Sequence, residues 1–471
     1  MRRPGNGTVP PPGSCAIRGL GDGLDGLGDG DTAAGEGDGE GAALLGAAVV
    51  EAAAEPEGVG VGPAPVQPVA RANPPAVVPA MSARLVSGAI ETACHGSGPR
   101  LLRSPTAAGT LRAMLTLDDL RALPKVALHD HLDGGLRPQT VIDHCAANGH
   151  TLPTTDPDAL RRWFFDAADS GSLVRYLETF AHTVAAMQTA EQLERVAHEF
   201  VVDQAEDGVV YAEARWAPAQ HLAMGLTLDR AVEAVRDGLA SGMRAAAEAG
   251  HTIVAQQIVT SLRQDDPTVE IAQLAIDHRD DSVCGFDIAG AEDGFPPSRF
   301  EDAFRLLKHD NMFFTIHAGE AFGPPSIWEA VQLCGANRLG HGVRIVEDLG
   351  IDGDPVEFGR LAAYVRDARI PLEVAPSSNL QTGIAAEMKD HPIDLLLRLG
   401  FNVTVNCDNR LMSDTTMSRE YLKLVEAFGW GIDDVRATTV GAMRAAFLPH
   451  DQREAIIADI VEPAYAAARS A

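Results

Sequence analysis

The sequence predicts an α/β protein, a (β/α)8 TIM barrel with a disordered N-terminal extension. Two observations carry the barrel. From Leu115 onward, eight short apolar runs alternate with longer stretches rich in Ala, Glu and Arg, and strands alternating with helices imply parallel βαβ units. Each run also begins apolar, and most finish in residues able to do chemistry. In this barrel the C-terminal strand ends form the active-site face, whereas packing alone gives no reason for polar groups to gather at one end of successive strands.

The first run, KVALHDHLD (125–133), contains two histidines one residue apart. GVVYAEARWAP (208–218), HTIVAQQIVTSLR (251–263) and CGFDIAG (284–290) follow. MFFTIHAGE (312–320) and NRLGHGVRI (337–345) carry one histidine each, and PLEVAPSSN (371–379) and NVTVNCDN (402–409) complete the series. Between them lie helix-like segments such as TLDRAVEAVRDGLASGMRAAAEAG and SIWEAVQLCG. The barrel domain is therefore expected over 114–471. Residues 1–113 hold no aromatic residue and are dominated by Gly, Pro, Ala and Asp, as in GLGDGLDGLGDGDTAAGEGDGEG. Such a segment buries too little apolar surface to offset its ordering entropy and is expected to be disordered. Met114 opens a compact start, so a chain beginning there should match the full chain in melting temperature and turnover. A drop of several degrees on truncation would show that the extension packs on the barrel.

The formal net charge of -28 repels phosphate backbones and makes nucleic-acid polymers poor partners. Six scattered cysteines without a C-x-x-C pair read as reduced thiols in a cytoplasmic protein. No apolar run approaches the ~20 residues needed to span a bilayer. Met1-Arg2-Arg3 is followed by GNGTVPPPGS rather than an apolar segment, which argues against a secretory signal. The P-loop fingerprint is missing, and no G-x-G-x-x-G stands between an apolar run and a helix-like segment as a dinucleotide site requires. The C-x-x-C of cytidine-type deaminases is missing too.

His129 and His131 share one face of their strand, because alternate side chains point the same way, and two imidazoles on one face can converge on one ion. A catalytic zinc-type site needs about three or more protein ligands. His317 in TIHAGE and Asp408 in NVTVNCDN supply the others. The same alternation turns Asp130 and Cys407 to the opposite face, so Cys407 is expected to be structural. His341 in GHG is better placed as a base or water-orienting group than as a further ligand. Glu320 follows His317 by three residues, just past the strand.

HxHLDG, DIAGAE, HAGE, GHG and NCDN, in that order from about Leu117 to about Pro449, resemble the adenosine deaminase family. The resemblance implies one bound Zn2+, or another divalent ion, held by His129, His131, His317 and Asp408. It implies hydroxide attack on C6 of a purine nucleoside with loss of ammonia, on adenosine or 2'-deoxyadenosine. His341 would accept or orient the water proton, with Asp408 sharing that work, and protonated Glu320 would donate to N1. The N–H of Gly290 would meet N3, and Asp133, beside His131, would bind a ribose hydroxyl. Leu173, Tyr176, Leu177 and Phe180 stand at helical spacing, by default a core stripe; the resemblance makes them a lid over the substrate. Cys407 and Asn409 stand where the family usually has threonine and a second aspartate. An asparagine amide can donate to the acceptor N7, which an ionised aspartate cannot. Competing readings are a deaminase of adenine or of an N6-modified adenine nucleoside or nucleotide, and a non-catalytic metal-binding relative. Asp133 favours a nucleoside, and a protein that merely binds needs no proton donor.

Overall fold

The computed structural model describes residues 114–470 apart from Asp352 and Asp354; the stretch 1–113, expected to be disordered, lies outside the described residues. Eight strands follow the eight apolar runs: β1 (Lys125–His131), β2 (Val209–Trp216), β3 (Val254–Leu262), β4 (Val283–Ala289), β5 (Thr315–Ala318), β6 (Arg338–His341), β7 (Pro371–Val374) and β8 (Asn402–Val405). They pair in chain order as β1-β2-β3-β4 and β5-β6-β7-β8, parallel throughout. Single parallel bridges, Phe286 with Phe314 and Asp130 with Asp408, join the two halves into a ring. At the second seam the Asp408 N–H donates to the His129 carbonyl (2.9 Å) and the His131 N–H to the Asp408 carbonyl (2.7 Å).

Helices cover the outside. Leu228–Glu248 realises the expected long helix, with Thr227 capping its first turn and Val232, Val235 and Leu239 buried. Ala190–Glu206 opens on a capping box between Thr189 and Gln192, which satisfies two otherwise free N–H groups. Four helices precede it in the β1–β2 connection: Pro138–Asn148, Pro157–Ala168, Leu173–Leu177 and Phe180–Ala185. The stripe expected as one helix over 173–180 is thus broken between two short ones. No helix among the described residues is long and apolar enough to cross a membrane.

The last four strands are shorter than their apolar runs. Their chemistry-bearing residues sit at the strand ends or on the turns beyond, and some leave the extended conformation there. His341 and Asp408 do so at φ +62° and +61°, a region costly for non-glycine residues and concentrated at functional sites. PSSN is not strand at all: Pro376 opens the short helix Pro376–Gln381, since proline is tolerated at a first helical position.

Barrels of this kind usually fill their interior with layers of branched apolar residues. Here Glu213, Arg215, Asp287, Arg338 and Glu373 are all buried inside it. Arg215 bonds Asp287 (3.0 Å) and Glu373 (2.8 Å), and Arg338 bonds Glu213 and Glu373. Buried charges persist only when paired in this way.

Candidate active site

Three imidazoles and a carboxylate converge at the C-terminal end of the barrel. One ligand atom from each of His129, His131, His317 and Asp408 lies within 4.8 Å of the others. His131 Nε2 is 3.2 Å from His317 Nε2, and Asp408 Oδ1 is 3.3 Å from His129 Nε2 and 3.4 Å from His131 Nε2. The buried His129 Nε2 has no hydrogen-bond partner. A carboxylate oxygen and inward-facing ring nitrogens, one of them orphaned, fit a divalent cation of zinc type.

The second nitrogens of two of these rings are tied down. His129 Nδ1 meets Glu373 Oε2 at 3.1 Å, and His317 Nδ1 meets Asp287 Oδ2 at 2.9 Å. Arg215 spans both carboxylates and also donates to the Leu128 carbonyl (2.6 Å). Nδ1–H bonds of this kind leave the Nε2 lone pair free for the metal. Ser378 Oγ donates to Asp408 Oδ2 (2.6 Å). Burial holds His131 well below the usual imidazole range. Burial also disfavours the charged form of Asp408, but the adjacent His129 ring outweighs it and keeps the carboxyl well below its usual range.

Two groups outside the ligand set face each other: His341 Nε2 lies 3.4 Å from Glu320 Oε2. Burial, with the like charges of Asp408 and Glu292, raises the Glu320 carboxyl well above its usual range, and its Oε1 has no partner. Glu292 fixes the backbone that carries Glu320. Its carboxylate accepts from the N–H groups of Gly319 (2.7 Å), Glu320 (3.0 Å) and Phe322 (3.0 Å).

A cavity adjoins this set at the same end of the barrel. Every residue expected at the substrate lines it: His131, Asp133, Gly290 and Asn409, together with Leu173, Tyr176, Leu177 and Phe180 from the two short helices. Burial pushes the Asp133 carboxyl up to about 7. Gly290 turns the chain off β4 at φ +96°, a conformation glycine adopts without strain. A Cβ on Gly134 would stand 1.8 Å from Asn409 Oδ1, so the first glycine of HLDGG makes room for that amide. Cys407 packs in the apolar core, and Asp130 turns outward to Arg410 (3.0 Å), as alternation requires.

Sequence reasoning missed Glu373, Asp287, Arg215, Ser378, Asn379 and Glu292, which hold the reacting groups. It also missed Gln220, Thr260 and Gln264 in the cavity wall. Glu373 did leave a signal, as a lone charge inside the apolar run PLEV.

A family model described as "Adenosine deaminase" matches residues 124–463. The chain is 58% identical over 355 residues to adenosine deaminase 1 of Streptomyces coelicolor, covering 75% of this chain and 90% of that one. It is 57% identical over 354 residues to an adenosine deaminase of Mycobacterium sp. strain JLS, covering 75% and 98%. Among solved structures, an amidohydrolase from Burkholderia ambifaria with bound Zn superposes with a TM-score of 0.65 at 25% identity, covering 78% of this chain and 96% of that one. The chain belongs to the adenosine deaminase family.

Proposed function

We propose that the protein hydrolyses adenosine and 2'-deoxyadenosine to inosine, or deoxyinosine, and ammonia. The observation that carries this is one cavity joining a three-histidine, one-aspartate cluster to a buried carboxyl held well above its usual range. The relatives' activity, as their names give it, points the same way. His129, His131, His317 and Asp408 hold the ion, with zinc favoured by the donor set and by the Zn-bound neighbour. When bound, such an ion supplies Lewis-acid activation of water, lowering its pKa to about 7 in the best-known case.

The chain's own residues do the rest. Glu320 gives its proton to N1 as the ring turns tetrahedral, a role that suits a carboxylic acid kept neutral by its surroundings. Its free Oε1 is available for that bond. Asp408 and His341 handle the proton of the attacking water. The Gly290 N–H meets N3, the Asn409 amide donates to N7, and Asp133 with His131 takes a ribose hydroxyl. Leu173, Tyr176, Leu177 and Phe180 close over the base and exclude water.

The competing substrate is a 6-aminopurine nucleotide. A phosphate calls for arginine or lysine, yet no lysine or arginine among the described residues lines the cavity, and Asp133 does. Purified protein is therefore expected to release ammonia rapidly from adenosine and deoxyadenosine, and at least about a hundredfold more slowly from AMP, by kcat/KM. Turnover of AMP or N6-methyl-AMP ahead of adenosine would reverse the assignment. Asn409→Asp gives a separate test. An aspartate can donate to N7 only when protonated, so kcat/KM should become steeply pH-dependent, falling as pH rises through the new carboxyl's pKa. An unchanged pH profile would remove Asn409 from the N7 contact.

A further inference from the structure

A buried chain of hydrogen bonds runs from the backbone of one loop to His341, and its direction is fixed at its far end. The Ile393 N–H donates to His391 Nδ1 (3.1 Å). A backbone amide can only donate, so His391 Nδ1 is an acceptor. Burial lowers the His391 ring to about 3, so the ring is neutral and its one proton sits on Nε2. His391 Nε2 faces Asn379 Oδ1 at 3.3 Å, which must accept. That orients the Asn379 amide, whose Nδ2 then donates to His341 Nδ1 at 3.0 Å. With Nδ1 accepting, the proton of a neutral His341 is on Nε2, the nitrogen that faces Glu320 Oε2. All three side chains are buried, so water does not compete for these bonds.

We propose that His391 and Asn379 are positioning residues that hold His341 in its Nε2–H tautomer, so that His341 enters the reaction as a hydrogen-bond donor and not as a proton acceptor. The inference rests on the deaminase reading above and divides the work that reading left shared. His341 orients the attacking oxygen through Nε2–H, and Asp408 takes the proton.

Neither His391 nor Asn379 lines the cavity, so any effect on turnover passes through His341. His391→Leu removes the donor to Asn379 and frees the amide to turn over, letting His341 take the other tautomer. His391→Gln places an amide N–H where Nε2–H stood and keeps the relay. Asn379→Asp presents only acceptors to His341 Nδ1 and forces the proton there. The metal-loaded full chain is labelled with 15N-histidine, and the His341 signals are assigned by their loss in His341→Gln. The ring is expected as the Nε2–H tautomer in the wild type and in His391→Gln. It is expected mixed in His391→Leu and reversed, or doubly protonated, in Asn379→Asp.

kcat on adenosine should fall at least about tenfold in His391→Leu and about a hundredfold in Asn379→Asp, with KM within about twofold and metal content unchanged. A wrong histidine tautomer can cost up to about 10,000-fold. His391→Gln should restore most of the rate. A wild-type His341 found as Nδ1–H overturns the proposal. So does a wild-type rate and tautomer in both His391→Leu and Asn379→Asp. If His391→Leu does not fold, the isosteric Asn379→Asp and the wild-type spectrum decide. The spectra are read without turnover, so an error in the assigned substrate would leave the tautomer result standing.

Discussion

Removing the metal is expected to abolish deamination and lower the melting temperature together, and one equivalent of Zn2+ should restore both. The catalytic half follows from the chemistry: without a Lewis acid, water at neutral pH is a poor nucleophile, with a pKa near 15.7 against about 7 when activated. The stability half follows from where the ligands sit. His129, His131 and Asp408 flank the β1–β8 seam, which is bridged by the single pair Asp130 and Asp408. Without an ion the buried His129 Nε2 has no partner. A ligand present at about a thousandfold its Kd stabilises the folded state by roughly 4 kcal/mol, which amounts to several degrees for a domain of this size. The measurement is metal content, ammonia release and thermal unfolding before and after dialysis against a chelator. Full activity in metal-free protein would end the mechanism.

The barrel and its ligand set were legible because both are written in short-range patterns. Period-two alternation separates His129 and His131 from Asp130, and the structure keeps that separation; Cys407 and Asp408 also part, but beyond the end of β8. What alternation cannot supply is pairing between distant strands. Glu373 and Asp287 reach His129 and His317 across 244 and 30 residues, and Arg215 joins them only because the ring closes. Nor does alternation continue past a strand. His341 and Asp408 reach the axis through positive φ, and the PSSN turn is a helix whose Ser378 and Asn379 reach Asp408 and His341. The run 173–180 shows the opposite limit. Its apolar spacing fits core packing as well as a lid, and in the structure its two short helices line the cavity while Tyr176 is also part of the apolar core.

Glu320→Gln should lower kcat by at least about a hundredfold, and up to about ten-thousandfold, while KM changes little. General acid catalysis is typically worth that range. The substitution keeps size and a hydrogen-bond donor but cannot release a proton usefully. With ground-state affinity assigned to the proposed contacts of Gly290, Asn409 and Asp133, the loss falls on the transition state and appears in kcat. The pH dependence gives a second signature. Burial and the charges of Asp408 and Glu292 raise the Glu320 carboxyl, so the donor form persists to higher pH than in an ordinary carboxyl and is lost as pH rises through its pKa. The wild-type rate should therefore fall on the alkaline side, and the residual rate of Glu320→Gln should lack that limb. Metal content should stay at the wild-type level, because Glu320 lies outside the cluster of ligand atoms. Loss of metal in the variant would move Glu320 into the coordination shell. A near-normal kcat would mean the proton comes from elsewhere, and His341, whose Nε2 faces the same carboxyl at 3.4 Å, becomes the first residue to replace.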